Sequence, residues 1–139
     1  MQYTKTAHGY LLRLDTDEEI VSTVAWFADD RRIDTGVISG IGSVHEAVLG
    51  YFDRVTKEYL RRMVEPDCEI VSLLGNISLK EGKAYPHLHV TLGTRDFQAL
   101  AGHLFEGKVA ATCELRVRAL PGMVQRKKDE MTGLWLLDV

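Results

Sequence analysis

The chain has 139 residues and a mass of 15.6 kDa, the size of one ordinary domain, expected to span residues 1–139. Hydrophobic residues make up 45% and charged residues 27%, which excludes a disordered or collagen-like polypeptide and leaves enough apolar surface for a core without disulfides or a structural metal. Against 17 basic residues stand 20 acidic ones, a net charge of −3, and neither half of the chain has the basic excess of a protein held chiefly by nucleic-acid phosphates.

Tyr10–Leu14 is a short strand candidate. Thr16-Asp17-Glu18-Glu19 matches a capping box, and Ile20, Val21, Val24, Phe27 and Ala28 follow at helical spacing, so a helix is predicted over residues 17–29 with Thr16 as its cap. From Thr35 onward glycines interrupt β-branched and aromatic residues. Val37–Ile41 and Val44–Phe52 read as two strands joined through Gly42-Ser43. Thr56–Val64 fits either period: Val55, Tyr59, Leu60 and Met63 match a helix, and alternation is tolerated. Pro66-Asp67 is a break, Glu69–Leu79 a long strand, Glu81-Gly82-Lys83 a turn, and His87–Leu92 a strand entered through Pro86.

Lys108–Leu120 alternates most clearly. Val109, Ala111, Cys113, Leu115 and Val117 point one way and Lys108, Thr112, Glu114, Arg116 and Arg118 the other. Pro121-Gly122 ends it. Residues 121–132 read as a mobile basic loop around Arg126-Lys127-Lys128, and Leu134–Val139 as a closing strand. Many strands with one main helix predict an α+β fold with mostly antiparallel pairing. Cys68 and Cys113 form no C-x-x-C and read as two free, buried thiols in a reducing compartment. No secretory leader opens the chain and no apolar run approaches the ~20 residues that span a bilayer, which predicts a soluble, cytoplasmic protein without a membrane partner.

Pro86-His87-Leu88-His89-Val90 carries the most chemistry. In a strand, His87 and His89 share one face about 6.6 Å apart, at ~3.3 Å per residue, close enough for both imidazoles to lean onto one ion. A hairpin centred on Arg95 would pair residues whose numbers sum to 190, which sets His103 opposite His87 and brings a third imidazole to the same point. Three histidines with an open fourth position form a common catalytic zinc shell; nickel, iron, copper and manganese also accept imidazole. An isolated H-x-H is more often two half-buried polar side chains, and it is the third histidine that moves the balance towards a metal. His8 and His45 have no such partners. Glu114, on the wet face of its strand, is the candidate ligand, orienting group or acid/base if that face turns towards the histidines, and otherwise a solvated charge beside Arg116. Gly40-Ile41-Gly42-Ser43 lacks the lysine and spacing of a phosphate loop and reads as tight packing. Asn76 sits in a bulge or points into the site.

The run Glu69–Ser78, then Pro86-His87-Leu88-His89-Val90, Gly102-His103-Leu104 and Ala111-Thr112-Cys113-Glu114, resembles the PPC (plants and prokaryotes conserved) domain, and Gly40–Val44 and Lys57-Glu58-Tyr59 fit it too. The likeness is to the stand-alone prokaryotic form described as a PD1-like DNA-binding protein. It implies a bent, mostly antiparallel sheet system with a packed helix, a homotrimer, and strand rather than helix at Lys57–Val64. The implied fold is similar to that of acetolactate decarboxylase, where an H-x-H and a further histidine hold zinc, so the resemblance carries metal roles onto His87, His89 and His103. The AT-hook of plant members is missing, Pro66-Asp67-Cys68 replaces a usual glycine-arginine-phenylalanine, and Ala101 stands where a glycine is usual. Two functions follow as expectations. One is a trimeric, metal-binding PPC protein associated with DNA or with DNA-binding proteins. The other is a small metal-dependent lyase or hydrolase for a carboxylated or carbonyl small molecule, with Glu114 as acid/base.

Overall fold

Two long strands organise the chain in the computed structural model, which describes residues 1–139. The elements run β1 (Gln2–Thr6), β2 (Gly9–Leu14), α1 (Ile20–Arg31), β3 (Gly36–Asp53), β4 (Glu58–Val64), β5 (Cys68–Lys80), β6 (Lys83–Gly93), β7 (Ala99–Ala119), β8 (Arg126–Lys128) and β9 (Trp135–Leu137). The main sheet has the order β1-β2-β7-β6-β5-β3-β4, and β3 also pairs with β7. That extra pairing closes β7, β6, β5 and β3 on themselves and bends the sheet around a core that includes Leu73, Ile77, Leu88, Leu92, Leu115 and Val117. Every strand pairing in the sheet is antiparallel, as the α+β expectation required.

With 21 residues, β7 is long enough to serve three neighbours. Its Ala99–His103 end pairs with β6, while His103–Ala119 pairs with β3 and Cys113–Val117 also with β2. The predicted pair Val37–Ile41 and Val44–Phe52 is one strand, not two. Gly42-Ser43 makes a bulge inside β3, where the register shifts against both β5 and β7. Gly42 has φ +156, and a Cβ there would stand 2.3 Å from the Thr112 carbonyl, so only glycine lets the two backbones approach this closely. Lys57–Val64 resolves as strand β4 from Glu58, paired with the second half of β3, as the family resemblance implied.

The helix begins three residues later than the capping box suggested. Tertiary pairing takes that segment: Asp17 N–H donates to the Val109 carbonyl, Val109 N–H donates to the Glu18 carbonyl, and Asp17 adopts φ 66. Thr16 donates its hydroxyl to Ala111 instead of capping. Glu19 is the cap, its carboxylate accepting from the N–H groups of Val21 and Ser22. Ile20, Val24, Phe27 and Ala28 are buried against β6 and β7, and Tyr3 and Tyr10 meet Phe27 edge-on at 5.2 Å each. β1 escaped the sequence reading because all five of its residues are exposed and carry no buried period.

Residues 121–132 are not simply a solvated basic loop. Arg126–Lys128 form β8, which pairs with Trp135–Leu137, and this two-stranded ribbon lies against β5 through the Leu79–Val124 backbone hydrogen bond. The predicted closing strand Leu134–Val139 therefore shortens to three residues outside the main sheet. Cys68 and Cys113 are free and buried, as expected, and burial pushes the Cys113 thiol up to about 12. No helix is long and apolar enough to cross a membrane.

Candidate metal centre

Two hairpins set the site. The β5–β6 turn is only Glu81-Gly82, both at positive φ, and its register places Asn76 opposite His87 and Leu74 opposite His89. The β6–β7 loop spans Thr94–Gln98, with the Thr94 hydroxyl accepting from the Gln98 N–H at 3.0 Å. This loop is centred on Asp96, not Arg95. His103 therefore faces His89 rather than His87, a slip of two residues from the sequence expectation. Side chains alternate with period two, so the slip leaves all three rings on the same face and the cluster intact.

The three imidazoles meet. Their ring centroids are 5.1 Å (His87–His89), 5.0 Å (His87–His103) and 5.4 Å (His89–His103) apart. One ring nitrogen from each lies within 4.8 Å of the others, and Nε2 of His87 is 3.2 Å from Nε2 of His89. Two ligands of a tetrahedral zinc, at Zn–N distances of about 2.0–2.1 Å, are roughly 3.3 Å apart, so this pair already has the spacing of one tetrahedral edge. Burial, with Arg126 and His89 adding to it, pushes His87 down to about 4; burial, with His87, His89, Arg61 and Arg126, does the same to His103. Both rings are neutral at pH 7 and offer lone pairs to a cation. Nδ1 of His103 is buried without a hydrogen-bond partner, a polar atom in want of one. Three nitrogen donors of this kind fit zinc, nickel, copper or iron.

Aromatic and cationic side chains wall the cluster. Phe105 and Tyr59 pack against His103 at 4.5 and 5.4 Å, and the Arg61 guanidinium stacks on Phe105 at 3.9 Å. Gly50, opposite His103, makes room: a Cβ there would stand 2.3 Å from the Phe105 ring. Arg126 reaches in from β8. It donates through Nε to Ser78 Oγ at 2.7 Å, through Nη1 to the Trp135 carbonyl at 2.7 Å, and through Nη2 to Asn76 Oδ1 at 2.9 Å; Nη2 also lies 3.5 Å from His87 Nδ1. Burial pulls this guanidinium below its usual range, opposed by Tyr85 and Tyr59.

Glu114 is not brought to the histidines. It pairs with Arg13 and Ile41 and lines a groove with Leu11, Ile41, Val71 and Leu74. No carboxylate joins the three histidines within the 4.8 Å that their ring nitrogens span. His45 pairs with Asp17 at 3.1 Å, away from the cluster. Sequence reasoning missed Arg126, which looked like one charge in a solvated run, along with Arg61, Tyr59 and Phe105. For Asn76 a signal existed, because a two-residue Glu81-Gly82 turn fixes it opposite His87.

Residues 1–121 match the Plants and Prokaryotes Conserved (PCC) domain. The chain belongs to this family. It is the PPC domain of the sequence resemblance, and solved structures agree in fold. A protein of Bacteroides thetaiotaomicron described as a "putative DNA binding protein" is 33% identical with a TM-score of 0.95, over 99% of this chain and 96% of that one. A PPC protein of Pyrococcus horikoshii is 33% identical with a TM-score of 0.87, over 97% and 94%. A metal-containing protein of Archaeoglobus fulgidus is 39% identical with a TM-score of 0.88, over 98% and 96%. A search of curated proteins found no match.

Proposed function

We infer that this chain is a stand-alone, cytoplasmic PPC-domain protein, one domain over residues 1–139, that assembles as a homotrimer and holds a divalent transition metal on His87, His89 and His103. It works in association with DNA or with DNA-binding proteins. The observation that carries the reading is the convergence of the three imidazoles, two of them held neutral by burial. The likeness to a metal-containing protein supports it. Three histidines form a common zinc shell, and zinc when bound would supply a Lewis acid and a water of lowered pKa.

Support for the trimer comes from the outer face of the sheet. Leu74 is 59% exposed and Ile41 57%, and with Leu11 and Val71 they line an open groove of ≈ 690 Å³, an apolar cluster that a second copy of the chain would cover. The DNA association rests on the description given to similar proteins, and a net charge of −3 makes any contact a local one.

Elemental analysis of protein purified without an affinity tag or added metal tests the reading, with one metal per chain expected. His89→Ala should lose the metal while light scattering still reports a trimer; stoichiometric metal in that variant overturns the ligand assignment. A duplex mobility shift that weakens steeply with salt is expected if DNA is bound directly, and its absence at low salt removes that role.

A second reading is a small metal-dependent lyase or hydrolase acting on a carboxylated or carbonyl compound. The specific observation in its favour is the buried arginine beside His87. Glu114 does not join the histidine cluster.

A further inference from the structure

The histidine face of β5 and β6 is covered unevenly. Ser78–Tyr85, Asn76–His87 and Leu74–His89 are successive cross-strand pairs on that face. At the first pair Ser78 is 0% exposed, at the second both residues are half-buried, and at the third both are exposed. Cover falls with distance from the β8–β9 ribbon. The ribbon therefore supplies it, and His87 stands at the ribbon's margin.

The ribbon has almost no apolar hold on the body. Among residues 121–139 only Arg126 is buried, and the two strands have three residues each, too few to persist alone. Cations pin it instead. Arg126 donates to Ser78 and Asn76 and lies 5.0 Å from the Tyr85 ring; Lys80 of β5 lies 4.6 Å from the Trp135 ring and 5.4 Å from that of Tyr85. At its root, Leu79 N–H donates to the Val124 carbonyl and Val124 N–H to Thr35 Oγ1. Just ahead, Pro121-Gly122 is exposed, Gly122 has φ +94, and a Cβ there would meet nothing within 4 Å, so the joint has room to turn. A segment held in this way opens locally before the body unfolds.

We propose that the ribbon is a clasp on the metal centre: closed, it walls His87 and keeps that ring turned towards His89 and His103; open, it frees the ring and lets a bound ion go. This rests on the three-histidine metal reading. An ion leaves one ligand at a time, so restraining one imidazole slows the step from three ligands to two. His89 is exposed on the side away from the ribbon, which leaves the ion a way in while the ribbon is shut. The clasp therefore acts on release and not on entry. Arg126 and Trp135 are positioning residues that work through His87. The coupling is reciprocal: an ion that holds His87 in the closed arrangement also holds the ribbon down.

The test loads the full chain with zinc(II) and mixes it with excess 4-(2-pyridylazo)resorcinol, whose colour reports released zinc. Trypsin cleavage after Lys127 and Lys128 reports the ribbon. Trp135→Ala is the first variant, because it removes the ring that meets Lys80 and keeps the backbone carbonyl that Arg126 uses. It should release zinc about tenfold faster, with the rate of zinc uptake unchanged to within about twofold, and Arg126→Gln should release it faster still. In wild-type protein zinc should slow cleavage of the ribbon. Unchanged release in both variants overturns the proposal, as does uptake that rises in step with release or ribbon cleavage indifferent to bound zinc. Protein that takes up no zinc fails the metal reading and the clasp with it, a different result from bound zinc that ignores the ribbon. Wild-type cleavage with and without zinc decides the coupling even where a variant folds poorly.

Discussion

Replacing Arg126 with methionine sets two large effects against each other. The wild-type guanidinium makes three short hydrogen bonds, to Ser78 Oγ at 2.7 Å, the Trp135 carbonyl at 2.7 Å and Asn76 Oδ1 at 2.9 Å. Bonds to a charged group contribute about 1.5–3 kcal/mol each, so roughly 5–9 kcal/mol of interaction is lost. Removing a buried, unpaired cation returns several kcal/mol of desolvation cost, and the methionine chain refills much of the arginine stem's volume. Ser78 decides the balance: it is 0% exposed, and its hydroxyl loses its hydrogen-bond partner among the protein groups. The net expectation for Arg126→Met is a loss of about 2–4 kcal/mol, within the ~5–15 kcal/mol of an ordinary domain, so the variant folds. Urea denaturation of the metal-free protein measures it. Because Arg126 ties the β8–β9 ribbon to β5, trypsin should also cut faster after Lys127 and Lys128. Equal or greater stability with an equally protected ribbon would refute the reasoning, since the cation's burial cost would then outweigh its bonds.

Other outcomes follow from the same geometry. Phe27→Ala should cost about 3–5 kcal/mol in urea denaturation, because the ring is fully buried between α1, Tyr3 and Tyr10; a loss below about 1 kcal/mol would mean the cavity collapses. Gly42→Ala should cost about 1–3 kcal/mol by forcing β3 away from the Thr112 carbonyl, and an unchanged melting temperature would contradict the close approach. In metal-free protein, His87 and His103 bind protons less readily folded (about 4) than at their ordinary 6.5, so their contribution is complete above pH 6.5 and lost as pH falls towards 4. The double variant His87→Gln/His103→Gln should flatten the urea midpoint between pH 6.5 and 5 relative to wild type, and identical profiles would reject this. Chelation should lower the melting temperature without unfolding the chain, whose core of 25 buried residues stands apart from the cluster; outright unfolding would show the metal to be structural.

The parts of this protein that its sequence determined are those with a local cause. Alternation placed His87 and His89 on one face of β6 and separated the core and wet sides of β7 from Cys113 to Arg118, because successive side chains in a strand point opposite ways; at Ala111, expected in the core but exposed, the register shift against β3 interrupts it. A turn at Glu81-Gly82-Lys83 was legible from its glycine between two strand patterns; the structure narrows it to Glu81-Gly82, and that register sets Asn76 opposite His87. Tertiary structure decided what depends on partners distant in the chain. Backbone pairing with Val109 overrode the Thr16 cap and moved the helix start, and a five-residue loop centred on Asp96 set His103 against His89. The slip spared the cluster because it was an even number of residues. The fold left Glu114 in a groove with Leu11 and Ile41, outside the histidine cluster, while the ribbon carried Arg126 to it. Neither result has a signature in sequence spacing, because a charged side chain looks the same at the surface and beside a buried imidazole until its neighbours are known.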